Sequence, residues 1–155
     1  MTATAHALIG ASIAAAITNP YIGIPLAFFS HFLADLVPHW DAATNRKQKT
    51  LKRLKIESSI DVILGLSLGF LIFRNIVDPS YLFWMMLVSQ LPDWLLAPKL
   101  MFNINLPPFT WMAYLGHKIQ TRMQLPWGLV TQLVSVGAII VISFFLSGST
   151  LANLR

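Results

Sequence analysis

Two histidines and two aspartates fall within eleven residues of one apolar stretch, F-S-H-F-L-A-D-L-V-P-H-W-D at residues 29–41. In a helix His31 and Asp35, four residues apart, lie one above the other on the same face. Pro38 disfavours the helical conformation at Val37 and should end the helix there. His39 and Asp41 then follow on the turn beyond it. Imidazole and carboxylate side chains at this density are the ligands of a divalent-metal site. The bland alternative is a hydrogen-bonded core pair followed by an interfacial turn. The surroundings favour function, because ionisable groups in hydrocarbon-like segments are costly and are retained for a reason.

Composition supplies those surroundings. Of 155 residues, 55% are hydrophobic and only 11% charged, with a mean hydropathy of +0.64. A soluble domain carries about 25% charged residues, so the chain is expected to be a membrane protein. Its length suits one integral membrane domain, residues 1–155, of about four to five helices. Cysteine is absent, which excludes disulfides and thiolate ligands but indicates no compartment. The start, M-T-A-T-A-H-A, has no basic region of the signal-peptide kind, and the first helix is expected to be retained. Of the six acidic residues, Asp78 reads as turn chemistry in D-P-S. Asp35, Asp41, Glu57, Asp61 and Asp93 lie in or beside apolar segments, where a charge needs a reason.

The elements that would position these groups are helical. A small-residue helix over residues 3–18 carries His6 in its first turn; at about 24 Å it is short for a span. Asn19-Pro20 and Gly23 break the chain, and Pro25 suits the first turn of a second helix reaching Val37. These two are either spans or a re-entrant hairpin. A basic loop at about 42–55 holds Arg46, Lys47, Lys49, Lys52, Arg53 and Lys55 and should be cytoplasmic by the positive-inside rule. It lacks the interleaved aromatics of a nucleic-acid patch, so no specific nucleic acid is expected.

A third helix over residues 56–77 repeats Glu57, Asp61, Gly65 and Gly69 every four residues, and Gly65 with Gly69 forms a G-x-x-x-G packing stripe. Glu57 also reads simply as a first-turn residue facing the helix dipole, whereas Asp61 lies a turn deeper. A fourth helix over residues 81–97 ends near L-P-D-W, where a proline kink beside Asp93 frees backbone groups for a cavity. An interfacial segment at about 99–124 includes a helix over 108–124, with His117 on one face and Lys118 and Arg122 close by. A fifth helix over 126–147 is the clearest span, followed by a tail to Arg155. The expected fold is all-α, a helical membrane bundle of about five hydrophobic helices plus an interfacial helix.

With the basic loop inside and the first two helices both spanning, His6, His31, Asp35, His39, Asp41, Glu57, Asp61, Asp93 and His117 all fall near the cytoplasmic interface. The side chains of His31, Asp35, Asp61 and Asp93 are expected to line one cavity there.

At H-A-L-I-G, S-H-F-L-A-D-L-V-P-H-W-D and L-P-D-W the chain resembles the YdjM-like membrane-bound metal-dependent hydrolases, with their early histidine, P-D motif and later histidines. More remotely, H-x-x-x-D followed by Pro and His is similar to the metal-binding helix of the zinc-dependent phospholipase C and single-strand nuclease superfamily. The second histidine here comes eight residues after the first rather than about ten, and Trp94 follows Asp93 where a histidine-bearing sequence would stand. The resemblance implies a hydrolase using zinc, with manganese as the other metal considered.

The leading expectation is a metal-dependent phosphoester hydrolase at the cytoplasmic face of a prokaryotic inner membrane, acting on a phospholipid or lipid-linked phosphate. His6, His31, Asp35, His39, Asp41, Asp61 and Asp93 are the candidate metal ligands, Glu57 and His117 the candidate catalytic base or supporting groups, and Lys118 and Arg122 the candidate phosphate binders. The partners would be membrane lipids, drawn by the basic loop; nothing indicates an oligomeric state. Two other classes stay open: a small ion or proton transporter or channel, and a non-catalytic membrane scaffold.

Overall fold

The computed structural model describes residues 1–152, with side chains for residues 1–148. Among the described residues there are six α-helices and no strand. They are α1 (Ala3–Ala16), α2 (Pro20–Leu36), α3 (Leu51–Phe73), α4 (Pro79–Phe102), α5 (Phe109–Ile119) and α6 (Trp127–Ala152). The tail expected to end at Arg155 reaches outside the described residues.

The shortest of the apolar helices lies at the centre. Helix α1 is packed against α2, α3, α4 and α6, and residues 5–12 of it are all buried. A helix apolar on every side belongs inside a bundle, and the small side chains of α1 let its neighbours come close. A Cβ on Gly10 would stand 2.5 Å from the carbonyl oxygen of Met85 in α4, and one on Gly65 of α3 would stand 2.7 Å from Cα of Thr4. Glycine is required at both crossings. Polar groups fix the start of α1. Thr2 caps it and exchanges hydrogen bonds with Gln132 of α6 at 3.1 and 3.0 Å.

The outside is apolar. Ile60, Ile63 and Leu71 on α3, Phe29 and Leu33 on α2, and Leu133, Val134 and Phe145 on α6 are all exposed. Helices α3 and α6 are long and apolar enough to cross a membrane. The polar residues collect instead at the end where α1, α3 and α6 begin and α2 and α4 finish. Among the described basic residues, only Arg74, at the C-terminus of α3, lies at the other end.

Several boundaries differ from the sequence reading. Helix α2 begins at Pro20, with Asn19 accepting from the Tyr21 N–H at 2.9 Å, so Pro25 lies inside the helix. The break expected at Asn19-Pro20 is there, but a proline at the first helical position with an asparagine cap starts α2 at once, so Gly23, also expected to break the chain, lies within the helix. Helix α3 starts at Leu51 because Thr50 caps it through the Arg53 N–H at 3.2 Å. Lys52, Arg53 and Lys55 therefore lie on its first turns rather than in a loop. Helix α4 runs through Pro92 and Pro98 to Asn103, which adopts a left-handed φ of 54° and closes the helix. The helix expected over 108–124 runs only from Phe109 to Ile119, and the following residues are extended, pairing with the turn after α2.

Candidate metal centre

That pairing is what closes the polar end. Thr121 N–H donates to the carbonyl of Asp35 at 3.1 Å, His39 N–H to Thr121 at 3.0 Å, and Met123 N–H to His39 at 2.7 Å. Carbonyls in the last turn of a helix lack partners within it. Here the Asp35 carbonyl is satisfied by a segment more than eighty residues downstream.

Asp35 is buried at the hub of the cluster. Its Oδ1 lies 3.3 Å from Nε2 of His6 and 3.7 Å from Nε2 of His39; its Oδ2 lies 3.5 Å from Nε2 of His31 and accepts from Gln120 Nε2 at 3.1 Å. The α-amino group of Met1 also contacts Oδ1. Asp93 enters from α4, with Oδ1 3.7 Å from His31 Nε2. Thus three imidazoles and two carboxylates from α1, α2, α4 and the turn after α2 meet in one place.

Ring orientation makes the set ligand-ready. Nδ1 of His31 is 3.0 Å from the Ser89 carbonyl, and Nδ1 of His39 is 2.7 Å from the Val37 carbonyl. A carbonyl only accepts, so Nδ1 carries the proton in both rings. Nε2 of each ring faces the cluster, the arrangement that second-shell carbonyls impose on metal-bound histidines. His6 is stacked on His31 with ring centroids 3.9 Å apart.

Both ring nitrogens of His6, and Nε2 of His39, are buried without a hydrogen-bond partner. An unsatisfied buried polar atom costs about 1–3 kcal/mol. The spacing offers a way to recover it. Donors about 2.0–2.1 Å from a tetrahedral ion are about 3.3–3.4 Å from one another, close to the separations around Asp35. His6, His31 and Asp93 form a group able to hold a metal ion, with one ligand atom from each within 4.8 Å of the others. Burial, followed by the nearby Met1 ammonium, holds the His39 imidazole below its ordinary pKa, which favours the neutral, ligating form.

The remaining candidates lie around this core. Asp61 does not reach the histidines. It accepts from the Ala3 and Thr4 N–H groups at 2.6 and 3.1 Å and from Thr4 Oγ1 at 2.7 Å, holding the N-terminus of α1. Asp41 bonds Thr44 Oγ1 at 2.7 Å and Arg122 Nε at 3.1 Å. Glu57 is engaged by Lys49 at 2.6 Å and Arg53 at 2.7 Å, in a separate pocket with Trp40 and Gln48. His117 and Lys118 are exposed on α5.

A cavity of about 630 Å³ opens beside the cluster. Asp41, Asp61, Asp93 and Arg122 line it, so two of the four residues expected in one cavity share its wall. His31 and Asp35 stay buried, connected to it through Asp93 and Gln120. The sequence reading missed Gln120 and the Ser89 carbonyl; both are supplied by elements distant in the chain, and no local pattern marks them.

No family model, curated protein or solved structure matches the chain.

Proposed function

We propose that the protein is a metal-dependent phosphoester hydrolase embedded in a membrane, with its site at the basic, cytoplasmic end of the bundle. The observation that carries this reading is the convergence of His6, His31, Asp35, His39 and Asp93, with the buried nitrogens of His6 and Nε2 of His39 lacking a hydrogen bond. His6, His31 and Asp93 are our ligands, with Asp35 and His39 completing or orienting the set. A nitrogen-rich set with carboxylate oxygen suits zinc first and manganese second. When bound, the ion would supply Lewis acidity toward a phosphoryl oxygen and water.

The chain's own residues would do the rest. Arg122, fixed by Asp41 and by Gln120 Oε1 at 2.5 Å, offers guanidinium N–H groups to phosphate oxygens. Asp93 faces both the cluster and the cavity; with one carboxylate oxygen in the ligand set, we assign its other oxygen the proton of the attacking water. The water oxygen bonds to phosphorus, the ester P–O bond breaks, and the leaving alkoxide takes up the proton that Asp93 received, giving an alcohol and a phosphate. Glu57 is tied up in two ion pairs and His117 is exposed, so neither is kept as the base. The apolar exterior and the basic end support insertion with that end toward the cytoplasm, in keeping with the YdjM-like resemblance.

One observation favours a second reading, a purely structural polar cluster: the Met1 ammonium already answers part of the charge of Asp35. Elemental analysis of detergent-purified protein separates the two. We expect about one zinc or manganese per chain, lost in His31→Ala and kept in Lys47→Ala, together with metal-dependent cleavage of para-nitrophenyl phosphate. Wild-type protein purified without chelators and still metal-free after adding either ion would leave the structural cluster.

A further inference from the structure

The cavity beside Asp93 has walls that a phosphate ester alone does not need. It runs between the N-terminal half of α3 and the C-terminal half of α4, along Leu54, Val62, Leu96, Ala97, Leu100 and Phe102. Its volume, about 630 Å³, falls within the range of small-molecule sites. One end is polar, where Asp93 and Gln120 join it to the histidine cluster and Arg122 stands in the wall. Trp94 and Ile63, also in its wall, are exposed on the apolar flank of the bundle.

We infer that this cleft holds the hydrocarbon chain of a lipid phosphate, with the phosphate head at Arg122 and Asp93. Three features select an amphiphile of this polarity. The apolar wall is continuous with the lipid-facing surface, so a chain could enter sideways without crossing water. The apolar walls match a hydrocarbon chain in chemistry, and a soluble phosphoester has no chain to fill them. The head end also carries cations among its carboxylates, Asp41, Asp61 and Asp93. Arg122 lines it, and Lys55, whose ammonium lies 4.5 Å from the centre of the Phe102 ring, belongs to the same cleft. Arg46 reaches the adjoining end of α4 through the Leu100 carbonyl at 2.7 Å.

The turnover of such a lipid rests on the hydrolase reading, but its binding does not, and the test reads binding. Purified protein in detergent is titrated with stearyl phosphate brominated at mid-chain, following tryptophan fluorescence. Saturable quenching is expected, with its main component lost in Trp94→Phe. Unlabelled stearyl phosphate should reverse it, whereas stearyl alcohol and inorganic phosphate should not. A polyprenyl phosphate competitor shows whether a branched chain is preferred over a straight one. Ala97→Phe fills the cleft from α4 and should weaken the apparent affinity at least tenfold, with helicity unchanged. Ser58→Leu fills it from the opposite wall and should do the same, which covers the case in which one variant fails to fold. Saturable quenching that folded Ala97→Phe or Ser58→Leu protein retains in full would overturn the assignment. So would an absence of saturable quenching in the wild type. If quenching behaves as expected and no phosphoester is cleaved, the hydrolase reading fails and the lipid cleft stands.

Discussion

The imidazole of His6 in α1 lies face to face with that of His31 in α2, centroids 3.9 Å apart and planes 20° from parallel. His6 comes from the central helix and His31 from one packed against its side, which makes the site a direct readout of helix packing.

Gly10 sets that packing. A Cβ there would meet Ser89 Oγ at 2.6 Å as well as the Met85 carbonyl. Gly10→Ala should push α1 away from α4 and cost about 1–3 kcal/mol of stability, the range for overpacking. Ser89 also accepts His31 Nδ1 through its carbonyl, so the same substitution should lower zinc occupancy. Thermal unfolding in detergent combined with elemental analysis checks both effects; full occupancy with a shifted midpoint would disconnect the crossing from the site.

Asp61 separates a ligand from a cap. Its carboxylate receives Ala3 N–H, Thr4 N–H and Thr4 Oγ1. Hydrogen bonds to a charged group are worth about 1.5–3 kcal/mol each, discounted here because Asp61 is only half-buried. Asp61→Ala should destabilise the protein by about 2–3 kcal/mol, and Asp61→Asn by less. Metal stoichiometry in the folded fraction should stay at the wild-type value. Its loss from folded Asp61→Asn protein would return Asp61 to the ligand set.

Gln120 is the outer support of Asp35, through the 3.1 Å bond to Oδ2. Removing such a partner lowers metal affinity by about 10–100-fold. Gln120→Ala should show that loss in competition with a fluorescent zinc chelator, while Gln120→Glu should lose more, since it sets a second carboxylate against the first. An unchanged zinc affinity in Gln120→Ala would make the contact incidental.

His39 carries a pH signature. Its pKa is lowered in the folded chain by burial, then by the Met1 ammonium, so the unfolded chain takes up the proton first. Stability from this group is therefore complete above the unfolded value of about 6.5. It declines as pH falls from there toward the folded pKa and levels off below it. Metal-free wild type should lose thermal stability between about pH 7 and 5.5, and His39→Gln should lose less over the same interval. Parallel slopes for the two proteins would assign the effect elsewhere.

Composition and spacing by themselves determined the class: an all-α apolar bundle, a basic end, and histidines and carboxylates gathered toward it. Such features are local or additive, since hydropathy sums along a helix and His31 and Asp35 share a face whatever surrounds them. The pairing of Gly65 with the start of α1 was also foreshadowed, because a G-x-x-x-G stripe states that a neighbour comes close, though not which one. Tertiary structure alone decided that the neighbour is Thr4, and that Asp61, on the same stripe, therefore serves the N–H groups of α1 rather than the histidines. It alone drew residues 120–123 back across His39, bringing Gln120 to Asp35, and tied Glu57 to Lys49 and Arg53. These outcomes depend on backbone groups and side chains from distant segments competing for the same partners. Such competition is settled by packing in three dimensions, and no pattern along the chain encodes its result.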